Sequence, residues 1–127
     1  MLKECWDMQE YKKMVDETNQ LLNILDRAEK EYDKRRETKI KGEFYSEVKP
    51  FADYAHNLSK VWGEEVGNYL TENRQKNLHP NQIKATVENI ELLTVQCFFP
   101  ETSYKRFKSY VQSSYYVVEQ VRDILKQ

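Results

Sequence analysis

Few side chains in this sequence have the type and spacing needed for chemistry, and the strongest pair is Asp53 and His56. A carboxylate and an imidazole three residues apart on a helix resemble the pairs by which helical bundles hold di-iron sites. Such a site needs two Glu-x-x-His pairs and two further carboxylates, whereas the chain has one other histidine, His79, at a predicted helix start. Helical projection also places Asp53 and His56 opposite the apolar side of their helix. The sequence therefore predicts no metal site and no cofactor.

Catalytic groups are equally poorly supported. Glu88 and Glu91 have the spacing of an acid and base pair, but neighbouring carboxylates on an exposed helix are usually only solvated. Cys5 and Cys97 lie far from any histidine and fit no metal or disulfide pattern, which favours free thiols in a reducing compartment. We therefore predict that the protein is not an enzyme.

An enzyme or small-ligand carrier built on interior polar residues is an alternative. It depends mainly on Glu65, which falls inside an apolar helical stripe and needs a partner if it is buried. Three hydroxyl side chains also lie on apolar stripes, where bonds to carbonyls of their own helices would satisfy them. They are Thr18, Thr94 and Ser114.

Composition limits the remaining possibilities. The 127 residues include 3 Gly, 3 Pro and 32% charged side chains, which suits one domain of long amphipathic helices. The formal net charge of -1 provides no overall attraction for nucleic acid or anionic membrane. The N-terminal residues lack the apolar stretch of a secretory signal, and the apolar run from Ile90 to Phe99 is too short to span a bilayer. We expect a cytoplasmic protein that does not enter membranes.

Apolar residues recur at alternating spacings of three and four, and they define four helices. The predicted ranges are about 3–34, 44–73 with a kink or restart near Pro50, 80–99 and 103–126. His79 is placed to cap the third helix, with Pro80 in its first position. Short connections favour antiparallel neighbours. The sequence predicts an all-α, antiparallel up-down-up-down four-helix bundle that forms a single domain over residues 1–127.

A resemblance supports this fold. The sequence is similar to the YppE-like family of small uncharacterised proteins from Gram-positive bacteria, over about two thirds of the chain from Phe44 onward. The residues that carry the similarity are Phe44-Tyr45, Val48-Lys49-Pro50, Trp62, His79-Pro80-Asn81-Gln82-Ile83, Glu88-Asn89, Val95-Gln96 and Lys105-Arg106-Phe107-Lys108. The resemblance implies a cytosolic helical bundle without an assigned activity, so it supplies no functional residues.

Two basic segments provide a first functional indication. Residues 34–41 and 105–108 are rich in Lys and Arg, and in an up-down bundle the first and third connections lie at the same end. The segments should therefore meet and form a basic rim from Lys39, Lys41, Lys105 and Arg106. Nucleic-acid binding through this end is an alternative function that the balanced overall charge disfavours.

The outer side of the third helix provides a second indication. Leu92, Val95 and Phe99 project away from the stripe that begins at Ile83, and Phe98 and Tyr104 lie close to them in sequence. Either the first helix or the segment from Phe44 to Pro50 covers these residues, or they form an interface with an unknown protein partner or a second copy of the chain. We predict a protein-interaction module with Leu92, Val95, Phe98, Phe99 and Tyr104 as its apolar contact.

Overall fold

Four α-helices make up most of residues 7–126, which are the residues that the computed structural model describes. Helix α1 spans Met8–Thr38, α2 spans Lys49–Glu72, α3 spans Pro80–Gln96 and α4 spans Tyr104–Lys126. A π-helical turn, Phe44–Val48, leads directly into α2. The predicted all-α class is confirmed. The predicted start of the first helix near Lys3, and Cys5, lie outside the described residues.

Each helix in the bundle has two neighbours. Helices α1 and α3 both pack against α2 and α4, and α1 makes little contact with α3. Contacts between α1 and α2 show that these helices run in opposite directions: the Tyr11 and Tyr69 hydroxyls share a 2.6 Å hydrogen bond. Near the far end of α1, Arg35 pairs with Glu47 just before α2. The up-down connectivity brings the first and third connections to one end of the bundle.

Sequence signals set the helix starts. Glu10 and Asp7 form reciprocal hydrogen bonds at the start of α1, and each satisfies a backbone amide of the other. Pro80 opens α3 as predicted, and the Gln82 side chain accepts a 2.8 Å hydrogen bond from the His79 amide. Pro50 lies in the first turn of α2, which follows the π-helical turn directly, so of the predicted kink or restart near Pro50 the structure shows a new start.

Two helix ends differ from the predictions. Helix α1 runs to Thr38, four residues past its predicted end, because its last turns remain packed on the core. The Tyr32 ring is fully buried and stacks on Phe107 at 4.1 Å. Helix α3 ends at Gln96, three residues earlier than predicted, and the chain then turns toward the interior.

The core is mainly apolar, with a few buried polar side chains such as Thr18 and Ser114. It runs between the four helices from Leu70 and Leu78 at one end to Val48 and Phe98 at the other. Its largest fully buried side chains are Trp62, Tyr32, Phe107 and Met14. This filled interior holds the surface side chains on a common frame.

Candidate contact surface

The outer side of α3 is only partly open to solvent. Leu92 is exposed, and Val95 and Phe99 are half-buried against the core. The prediction of Phe98 as a surface contact is wrong, because its side chain is 2% exposed. Its ring meets Phe51 edge to face at 5.8 Å, which is a core contact.

The position of Phe98 on the helix explains its burial. Phe98 lies one helical turn beyond Thr94, which is fully buried, and Cys97 between them keeps helical dihedral angles although α3 ends at Gln96. The Phe98 carbonyl then accepts a 2.8 Å hydrogen bond from the Gly42 amide in the first connection. A β-carbon at Gly42 would lie 2.7 Å from Cδ1 of Phe98, so the absence of a side chain allows this close approach.

The two basic segments meet at one end of the bundle, as predicted. Besides the bond between Gly42 and Phe98, the Arg36 guanidinium lies over the Tyr104 ring at 4.9 Å. Tyr32 also links α1 to the third connection, where its hydroxyl donates to the Thr102 carbonyl at 2.6 Å. We call this end of the molecule the basic end and define it as residues 34–49 together with residues 97–108.

Some cations of the basic end are used internally. Arg35 is buried, and it bonds to Glu31 at 2.7 Å and to Glu47 at 2.6 Å. The Glu43 amide and then the Arg35 guanidinium hold the pKa of Glu47 below its usual value. These bonds fasten the π-helical turn to the last turns of α1.

Lys108 is used in the same way on the other side of the basic end. Its ammonium lies 3.1 Å from both Glu29 and Asp33 on α1. Buried Arg35 and half-buried Lys108 are therefore already neutralised by carboxylates of the protein itself.

The four predicted rim cations remain available. Lys39, Lys41, Lys105 and Arg106 are all exposed, and none forms an ion pair with another residue of the described chain. Lys39 also ends α1 in the left-handed conformation, with φ of 63°, and turns the chain toward the first connection.

Large apolar side chains are exposed at this end as well. Ile40 is 63%, Phe44 52%, Tyr45 76% and Tyr104 52% exposed. Phe44 and Tyr45 pack edge to face at 5.1 Å, so they present one aromatic surface on the π-helical turn. Tyr104 was predicted as a contact, but the other three residues were not. The sequence contains a usable signal in the aromatic pair Phe44-Tyr45 near lysines, in a segment that was one of two candidates to cover α3.

Other kinds of site find less support in the structure. Asp53 pairs with Lys49 at 2.8 Å, and Nε2 of His56 donates to the Glu91 carbonyl of α3 at 3.1 Å. These two side chains therefore stabilise helices. Among residues 7–126, no three His, Cys, Asp or Glu side chains form a group that could hold a metal ion. Burial raises the pKa of the Cys97 thiol, which disfavours the reactive thiolate.

The interior polar residues are only partly satisfied by hydrogen bonds. Glu65 is half-buried and has the lysine partner that the sequence allowed, since one of its oxygens lies 2.5 Å from the ammonium of Lys13. Thr18 and Thr94 donate to carbonyls of their own helices at 2.7 Å, as predicted. Ser114 does not follow the prediction, since its buried hydroxyl has no hydrogen-bond partner among the described residues. No helix within the described range is both long and apolar enough to cross a membrane.

Comparisons with known proteins agree on one bacterial family. A bacterial domain of unknown function, DUF1798, matches residues 18–125. The uncharacterised protein YppE of Bacillus subtilis is 24% identical over 110 residues, which cover 87% of this chain and 89% of that protein.

Solved structures share the fold. A protein of unknown function from Listeria innocua is 28% identical with a TM-score of 0.86, and the match covers 91% of this chain and 93% of that one. The crystal structure of YppE from Bacillus subtilis is 23% identical with a TM-score of 0.83, over 88% of this chain and 91% of that one. A domain of the same family from Staphylococcus aureus is 21% identical with a TM-score of 0.77, over 88% and 95%.

Proposed function

Because this chain belongs to the DUF1798 family of bacterial domains of unknown function, we propose its role from its own surface: it is a non-catalytic protein-interaction module that binds through its basic end. The observation that carries this proposal is the exposure of Ile40, Phe44, Tyr45 and Tyr104 beside cations that form no ion pair within residues 7–126. Aromatic side chains ringed by charge are the composition expected of a contact surface. The free thiol of Cys97 is in keeping with a cytoplasmic location.

The charge of the basic end indicates the kind of partner. Residues 34–49 contain six Lys or Arg and three Glu, and residues 97–108 contain three Lys or Arg and one Glu. Arg35 and Glu47 neutralise each other, and Lys49 and Lys108 pair with carboxylates of α2 and α1. The outward positive charge therefore comes from the exposed cations of the two segments that form no ion pair with a described residue. The surface suits an acidic protein segment with apolar side chains that reach Phe44 and Tyr45.

The underlying structure keeps this surface in place. Arg35 fastens the π-helical turn to α1, and Lys108 and Arg36 both lie against the Tyr104 ring. A surface that is already ordered loses less conformational entropy when a partner binds. Leu92, Val95 and Phe99 extend the apolar contact along α3, with Leu92 the most accessible.

The test is recovery of a partner from native lysate by the tagged protein and its variants. Tyr45→Glu places a carboxylate within the proposed contact and should abolish recovery, while Tyr116→Glu should not. Tyr116 is a matched control, since it is 62% exposed on α4 well away from the basic end. Far-UV circular dichroism should show unchanged helicity in both variants. Equal recovery by both variants would remove the basic end as the contact.

Nucleic-acid binding, the alternative function, would use the same basic end. The dependence of binding on salt concentration distinguishes it from binding to a protein. Nucleic-acid binding falls steeply with ionic strength because counterions are released. Replacing Lys39, Lys41, Lys105 and Arg106 by Gln would then abolish retention on nucleic acid, whereas Tyr45→Glu would change it less. For a protein partner, we expect the Tyr45 substitution to be at least as damaging as the loss of these charges.

A further inference from the structure

Two carboxylates face one lysine where α1 packs against α2. Glu17 of α1 is 7% exposed, and Glu65 of α2 is half-buried beside it. The Lys13 ammonium lies 3.0 Å from Oε2 of Glu17 and 2.5 Å from Oε2 of Glu65. One positive charge therefore serves two acids at the same place.

The second oxygen of each carboxylate has no donor. Oε1 of Glu17 and Oε1 of Glu65 are both buried and have no hydrogen-bond partner among the described residues. Buried acceptors in native proteins are nearly always bonded, so two orphans in one cluster need an explanation. A proton held between the two carboxyl groups would satisfy both and would cancel the surplus negative charge.

Electrostatics support this explanation. Burial first, and the neighbouring Glu65 next, raise the pKa of Glu17 to about 7, although Lys13 acts in the opposite direction. Hydrogen bonds to Glu65 and Glu17 raise the pKa of Lys13, so it stays positive near neutral pH.

The Tyr69 hydroxyl, close to the pair, does not titrate in this range. Tyr69 lies one turn beyond Glu65 and bonds to Tyr11, and burial raises its pKa to about 12. The charged groups that face Glu17 are Lys13 from its own helix and Glu65 from α2. The Glu17 carboxyl is thus the group of this cluster that changes charge near neutrality.

We infer that Glu17 and Glu65 share one proton and form a pH-sensitive joint between α1 and α2. The direction in which stability changes with pH follows from the pKa of Glu17 in the unfolded and folded states. An unfolded glutamate loses its proton near its ordinary pKa of 4.5, whereas folded Glu17 keeps it to about 7. Stability from this joint is therefore full at acidic pH, falls as the pH rises from 4.5 to about 7, and changes no further above that.

The direct test is titration of the side-chain carboxyl carbons by NMR. Glu17 should titrate with a midpoint near 7, while Glu64, the exposed neighbour of Glu65 on α2, serves as the control. In Glu65→Gln, the Glu17 midpoint should fall, because the neighbouring acid no longer opposes its ionisation. A wild-type Glu17 midpoint at the ordinary glutamate value would overturn the inference.

A second test uses thermal stability. Glu17→Gln keeps the shape of a protonated acid and can donate to Glu65 at every pH, so its Tm should rise relative to wild type as the pH increases from 5 to 8. The matched variant Glu64→Gln should show no such change in its difference from wild type. A Tm difference for Glu17→Gln that stays constant across this range would also overturn the inference. Neither test depends on the partner proposed for the basic end.

Discussion

At the scale of single residues, a buried polar contact joins α1 to α2 beside the carboxyl pair. Thr18 donates to its own helix at the Met14 carbonyl and accepts a 3.0 Å hydrogen bond from Nε1 of Trp62. Trp62 is fully buried, so its indole N–H has no access to water. The Thr18 hydroxyl therefore forms a hydrogen bond within α1 and also accepts one from the buried indole N–H on α2.

Replacing Thr18 by Val should be costly for this reason. The substitution keeps the side-chain shape but leaves the Trp62 N–H without an acceptor, so the free energy of unfolding should fall by about 1–3 kcal/mol. Urea unfolding followed by far-UV circular dichroism measures the change.

Thr86→Val provides the control. The Thr86 side chain is equally buried, but it donates only to the Gln82 carbonyl of its own helix, at 2.8 Å. Its loss should cost clearly less than the loss of the Thr18 hydroxyl. Equal costs would show that the bond to Trp62 contributes little.

At the scale of elements, two glycines of α2 have different surroundings. A β-carbon at Gly63 would lie 2.7 Å from Cγ2 of Val87 on α3, whereas one at Gly67 would meet nothing within 4 Å. Gly63 therefore permits the close approach of α2 and α3. Gly67 has no such role.

Alanine substitutions should separate the two positions. Gly67→Ala should stabilise the protein by about 0.5–1 kcal/mol, because alanine loses less backbone entropy in a helix. Gly63→Ala should instead destabilise it by about 1 kcal/mol or more, since Val87 must move. The measurement is again urea unfolding. Stabilisation by both substitutions would contradict the close packing of α2 on α3.

The elements also show what sequence could and could not predict. Helix starts were predicted well, since Pro80 and Pro50 act through local geometry. The ends of α2 and α4 were also close to the prediction, but the ends of α1 and α3 were not. The last turn of α1 depends on Arg35 reaching Glu47, a contact with a distant part of the chain. The burial of Phe98 could have been predicted, since helical spacing places it one turn beyond Thr94.

One of the two residues of the carboxyl pair was identified from the sequence. Glu65 was singled out because it lies in an apolar stripe, whereas Glu17 was missed. It occupies a helical position between Met14 and Leu21, two residues that the apolar pattern assigned to the core. That position was a usable signal. Its pairing with Glu65 required knowledge of how α1 and α2 are aligned.

At the scale of the whole molecule, the exposed charged and aromatic side chains of the basic end lie outside the packed core. The overall charge is close to zero, yet the basic end contains exposed aromatic side chains and cations that form no ion pair with the described part of the chain. The bundle beneath this end is continuous and apolar. Changes at the exposed surface should therefore alter binding without altering the fold, which is what makes the Tyr45 and Tyr116 comparison interpretable.

The continuity of the core predicts that the whole chain unfolds as one unit. Tyr11 and Tyr69 pack at one end of the bundle, and Tyr32 stacks on Phe107 at the basic end, with Trp62 buried between them. No gap divides these contacts into separate cores, so loss of one end exposes the apolar surface of the rest. Far-UV circular dichroism, which reports helix, and near-UV circular dichroism, which reports aromatic packing, should give the same urea midpoint. Loss of the near-UV signal at a lower urea concentration would show that one end melts independently, and the basic end would then be an adaptable surface and not a preformed one.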